Sequence, residues 1–156
     1  MASTVISSKL VVSISEKITL NDQSYGGKNT CVIPGITDID KRIVTVPTSE
    51  IEILKMDTSA GAGQFIEGDV RYIRITNLDD TNNGFLTFKN EDDDEFCVLL
   101  DYGQSFIYNS NFDGGVVNTF DANAGAASIH NLGDLVNITA QADTAAIDLE
   151  IFVASV

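Results

Sequence analysis

Val70-Arg-Tyr-Ile-Arg-Ile-Thr-Asn-Leu78, then Asp79-Asp-Thr-Asn-Asn-Gly84, then Phe85-Leu-Thr-Phe-Lys89 is the stretch that decides the fold class. The two flanking runs are dense in β-branched and aromatic residues, which suit a pleated, half-buried surface. Asn83-Gly84 between them is a strong two-residue hairpin signal. Glu95 to Asp101 follows across Glu91-Asp-Asp-Asp94, with Phe96, Val98 and Leu100 on one face. Tyr102-Gly103 then turns the chain into Gln104 to Tyr108. The expectation is an antiparallel meander of four strands.

The same period-two alternation continues on both sides. Toward the amino end, Leu10, Val12 and Ile14 point one way while Val11, Ser13 and Ser15 point the other. Ile18 and Leu20 extend that pattern into a turn-rich stretch, Asn21 to Asn29, that contains Gly26-Gly27. Strands are expected near Arg42 to Val46 and Glu50 to Met56, separated by Pro47, which cannot donate to a central ladder. Thr58 to Gln64 reads as a loop, and Asn109 to Gly133 as a long loop holding one strand near Val116 to Phe120. Leu135 to Ala142 and Ala145 to Val153 are joined by a turn at Asp143-Thr144, with Ile147, Leu149, Ile151 and Val153 facing inward. Eight to ten short strands without linker or repeat predict one all-β domain over residues 1–156. The expected architecture is an antiparallel β-sandwich, jelly-roll-like.

Composition agrees. Ile, Val and Thr make more than a quarter of the 156 residues, and Asp, Asn and Gly, the residues of tight turns, another quarter. Nine cations stand against 23 acids, for a formal charge of −14, which opposes any broad grip on phosphate, so nucleic acid is not an expected partner. No apolar run approaches the ~18 residues of a membrane span, and the first residues lack the basic-then-apolar pattern of a signal peptide. Cys31 and Cys97 stand too far apart in sequence for a metal or redox motif. Cys97 reads as a small buried hydrophobe, and no disulfide is expected.

A reaction centre is hard to assemble from these residues. His130 is the one histidine, in a loop-like stretch, which removes most general-base and triad designs. Gly103-Gln-Ser105-Phe-Ile107 lacks the second glycine of a nucleophile elbow, so Ser105 reads as a strand residue. Gly61-Ala-Gly63 opens like a dinucleotide fingerprint, but Ile66 stands where the third glycine belongs. No acidic pair is singled out for glycoside cleavage. The chain has no Trp, and Tyr72, Tyr102 and Tyr108 lie in or beside strands, which weakens a sugar-stacking reading. Asn137-Ile-Thr139 is a formal sequon inside a strand, and Asp38-Ile-Asp40 is too short to carry meaning.

Calcium is the better-posed question. Asp79-x-Thr81-x-Asn83-Gly84 resembles the opening of an EF-hand loop, but position 90 is Asn where the bidentate glutamate belongs, and the flanks are strands. A different calcium site built from Asp79, Asp80, Glu91, Asp92 and Asp93 is the alternative to solvated turns whose charges guard strand edges. No catalytic residue, resident metal or cofactor is expected.

Val70 to Asn82, followed by Gln104-Ser-Phe-Ile107, resembles small virion structural proteins of tailed marine bacteriophages. Ile138-Thr-Ala-Gln-Ala-Asp143 and Ile147-Asp-Leu-Glu-Ile-Phe-Val-Ala-Ser155 add to that likeness, which covers residues 70–155. The resemblance implies a non-enzymatic, many-copy part of a virion assembled in the host cytoplasm. A capsid cement or decoration protein contacting the major capsid protein is the first such role; a tail- or fibre-associated part is the second. A calcium- or carbohydrate-binding module is the third reading. The resemblance supplies no site residues, and the interface is left open.

Charge is uneven along the chain: all nine Lys and Arg fall within residues 1–89, and residues 90–156 hold twelve acids alone. This predicts that Lys9, Lys17, Lys28, Lys41 and Arg42 face an acidic partner while the carboxy-terminal half faces outward.

Overall fold

The computed structural model describes residues 4–91, 93–109 and 135–156 of the chain. The strand expected near Val116 to Phe120, and His130, lie outside them. Among the described residues there are thirteen strands: β1 (Ser8–Ser15), β2 (Ile18–Leu20), β3 (Gln23–Tyr25), β4 (Lys28–Ile36), β5 (Asp38–Val46), β6 (Ile51–Asp57), β7 (Phe65–Ile66), β8 (Val70–Asn77), β9 (Gly84–Asn90), β10 (Glu95–Leu100), β11 (Ser105–Asn109), β12 (Leu135–Ala142) and β13 (Ile147–Ser155).

Eight of these build an antiparallel sandwich. One sheet has the order β11-β8-β13-β5; the other has β10-β9-β12-β6, with β7 added in parallel beyond β6. Numbering the eight in chain order, the sheets read 6-3-8-1 and 5-4-7-2, the two interlocked Greek keys of a jelly roll. The alternation seen in the sequence fills the space between them. Ile73 and Ile75 of β8, Leu86 and Phe88 of β9, Ile138 and Ala140 of β12, and Ile147, Leu149, Ile151 and Val153 of β13 all fall in one buried cluster.

The expected meander is corrected. β8 and β9 do not pair: β8 lies between β11 and β13, and β9 lies between β10 and β12 in the opposite sheet. A type I′ hairpin needs positive φ at both central residues, and neither Asn83 nor Gly84 is among the residues with positive φ. Gly84 is a buried strand residue, and a Cβ there would sit 2.5 Å from Ile147 Cδ1. Gly84→Ala therefore overpacks the core and is expected to cost about 1–3 kcal/mol, read as a lower urea midpoint with an unchanged slope. β10 pairs with β9 as expected, but β11 crosses back to pair with β8. Likewise β12 and β13, read as neighbours, sit in different sheets. Each of these connections turns a corner of the sandwich.

Cys97 is also corrected: it is exposed, because Phe96, Val98 and Leu100 take the inward positions of β10. Cys31 and Cys97 are both free thiols.

Candidate functional site: a hairpin arm

Residues 8–36 form an arm attached to the outer face of the β5-containing sheet. β1 pairs with β4 from Ser8↔Ile36 to Ser15↔Lys28, and β2 pairs with β3 from Ile18↔Tyr25 to Leu20↔Gln23. The tip is Asn21-Asp22, with φ of 50° and 62°, so the primed two-residue turn occurs here and not at Asn83-Gly84. Between the two ladders the chain bulges at Gly26, whose φ of 129° and closeness to the Glu16 carbonyl leave no room for a Cβ.

The base of the arm is anchored. Leu10, Val12, Cys31, Ile33 and Ile36 form a second apolar cluster with Tyr72, Phe152, Ala154 and Val156. Tyr72 meets Phe152 edge-on, with ring centroids 5.8 Å apart. A groove of about 330 Å³ runs under β1, lined by Leu10, Val12, Ile14, Tyr72, Ile107 and Phe152. Tyr72 is thus a packing residue, as read from the sequence, while Tyr102 is exposed.

Beyond the base the arm loses this support. Every residue of β2 and β3 is exposed. Ile18 (56% exposed), Leu20 (58%) and Tyr25 (52%) share one side of the ribbon, since Ile18 pairs with Tyr25 and Leu20 is two residues on. Thr19 and Ser24 take the other side. Val11 and Val32, a cross-strand pair nearer the base, are exposed as well. The tip ribbon is therefore amphipathic, with its apolar side in solvent. An isolated two-stranded hairpin is marginal in water, so a ribbon of this kind gains most by being covered.

The sequence anticipated β1 and β2 but not their pairing with β4 and β3. The available signal was the near-symmetry of Ile18-Thr-Leu20 and Gln23-Ser-Tyr25 about Asn21-Asp22.

The calcium candidates are not brought together. Asp79 and Asp80 precede β9, whereas Glu91 and Asp93 follow it, and a seven-residue strand separates them by roughly 20 Å. Asp92 lies outside the described residues. Asp79 Oδ1 accepts the backbone N–H groups of Asn82, foremost, and Thr81 at 2.7 and 2.8 Å, which hold its carboxyl below the ordinary range. Asp93 pairs with Lys89 at 2.7 Å, and Glu91 is exposed. Asp79, Asp80 and Asp148 border one depression. Even so, no group of three or more His, Cys, Asp or Glu side chains among the described residues is placed to hold a metal ion.

Asp79 instead shapes the corner between the sheets. Its depressed folded pKa means that its contribution is complete above the unfolded value near 4 and fades as pH falls through the folded value. Asp79→Ala is expected to melt below the parent at pH 7, with the gap narrowing below about pH 4. A pH-independent gap would show that the carboxylate charge is not what matters.

The remaining sequence candidates have structural places. Ser105 starts β11 and its Oγ lies 2.7 Å from Thr76 Oγ1. Gly61 bridges to Gln64 in a loop that leads into β7, where a dinucleotide site needs a helix. Asn137, on central strand β12, donates from Nδ2 to Glu52 at 3.0 Å. Asp40 pairs with Arg42 at 2.6 Å.

Electrostatics separates the arm from the body, not one chain half from the other. β12 lies between β9 and β6, and β13 between β8 and β5, so the acidic carboxy-terminal strands are interleaved with earlier ones and make no face of their own. Residues 1–36 carry Lys9, Lys17 and Lys28 against Glu16 and Asp22, a net +1; residues 37–156 carry −15. On the outer face the few body cations are spent internally: Arg74 foremost, then Lys41, hold the Glu150 carboxyl below its ordinary range.

Comparison of the chain with models of known protein families, with curated proteins and with solved structures finds no match.

Proposed function

We propose that this chain is a non-enzymatic structural protein of a virion, a capsid decoration or cement protein that lies across subunits of the shell. The observation that carries this reading is the arm: a tethered ribbon whose apolar side is in solvent, on a compact jelly roll. Such a device suits a part whose work is to bind neighbours in an ordered array. The strongly anionic body favours the outside of a shell, away from packaged DNA, because like charges repel. Many weak contacts of this kind add through multivalency. The major capsid protein is the partner beneath.

Purified chain mixed with shells lacking it is expected to co-sediment saturably and to raise the melting temperature of the shell. Shells that neither bind the chain nor melt later would overturn the proposal.

A further inference from the structure

We infer that the arm tip docks on a second copy of this chain, at the outward face of that copy's β5. This names the occupant of the arm and so rests on the assembly reading above.

The receiving face has the matching chemistry. β5 is the edge strand of its sheet, and Ile39 (57% exposed) and Ile43 (62%) project from its outer side on either side of Lys41. The molecule's own arm is anchored over Tyr72, Phe152 and Ala154 and leaves both isoleucines uncovered. An apolar ribbon and an apolar edge strand on one chain are complementary surfaces that a single copy leaves unjoined. Such a pair lets copies associate, as a closed dimer if the contact is reciprocal and as a ring if it is not and its rotation closes. The open edge of β5 also offers backbone groups to a neighbouring strand.

Exposure and charge point the same way. Ile18, Leu20 and Tyr25 of the tip and Ile39 and Ile43 of the receiving face are each more than half exposed. Among the described residues the arm has three cations against two acids, net +1, and residues 37–156 have six against seventeen, net −11, so an arm meets attraction on a neighbouring body, while two bodies face to face repel.

Sedimentation velocity of the isolated full-length chain from about 1 to 100 µM tests this. The parent is expected to sediment as a dimer or larger ring at the upper end. Leu20→Asp in the tip and Ile43→Asp on the face are each expected to sediment as single chains. Both positions are exposed, so the thermal melts of the single chains should stay close together; Ile18→Ser with Ile39→Ser is a milder pair if either aspartate lowers the melt. An equimolar mixture of the Leu20→Asp and Ile43→Asp chains should associate again, because one intact tip can meet one intact face. A parent that stays monomeric, a variant that associates like the parent, or a mixture that fails to recover each overturns the inference. A chain that self-associates through the arm but ignores shells would overturn the decoration reading alone. A monomeric chain that binds shells would do the reverse.

Discussion

Phe88→Ala is expected to remove about 3–5 kcal/mol of unfolding free energy, the largest effect of any single truncation proposed for this chain. Phe88 is 2% exposed at the middle of β9. It stacks on its cross-strand partner Phe96 at 4.6 Å with the rings 4° apart, and meets Phe106 of the opposite sheet at 4.8 Å. The ring therefore joins β9 and β10 to β11 across the sandwich, and its removal leaves a cavity that both sheets border. Domains of this size are stable by only about 5–15 kcal/mol, so the variant should lose a large share of that margin. Urea unfolding measures it directly. A loss under about 1 kcal/mol would mean that the two sheets are not packed through this cluster.

Asn77 is the second such position, for a polar reason. It is fully buried at the end of β8, where the chain leaves one sheet for the other. Its Nδ2 donates to the carbonyls of Asn82 and Leu100 at 2.9 and 3.3 Å, and its Oδ1 accepts the Asp79 N–H at 3.0 Å. Its backbone binds Gln104 and Gly103. One side chain thus fastens both corners, residues 77–84 and 100–105. Asn77→Ala strands buried carbonyls and is expected to cost about 2–4 kcal/mol. Asn77→Asp should be worse at pH 7, since a carboxylate would face those carbonyls and burial raises its pKa in the folded state. Its melting temperature should rise toward that of the parent as pH falls to about 4, because the folded state then gains the proton. A melt for Asn77→Asp that does not move with pH would contradict this placement.

The fold class was legible because alternation reports which residues share a face. Ile147, Leu149, Ile151 and Val153 could be placed inward with no knowledge of their neighbours, and β13 holds them there. Alternation does not report which sheet a strand joins. A hairpin and a corner both follow one alternating run with turn residues and another such run, and Asn83-Gly84 satisfied the hairpin pattern by composition alone. What separates them is long-range: Asp79 and Asn77 spend their polar groups on the corner, and Gly84 makes room for Ile147.

The arm was half legible for a related reason. Leu10 to Ser15 and Ile18 to Leu20 announce strands, but their partners are written in turn residues, with Asn29 at the start of β4 and Pro34-Gly35 near its end. That the apolar side of the tip is uncovered is a property of the packed molecule, and Ile18, Leu20 and Tyr25 look from sequence like any core-facing set. Charge behaved similarly. The split at residue 90 is real along the chain, yet strand interleaving dissolves it in space and leaves the contrast between arm and body.

The copy number of this chain in purified virions, read by gel densitometry against the major capsid protein, tests the central claim most directly. A decoration protein that clasps its own copies predicts a simple stoichiometric ratio to the shell subunit. Absence from the particle, or the handful of copies that a tail or fibre part would show, would contradict it.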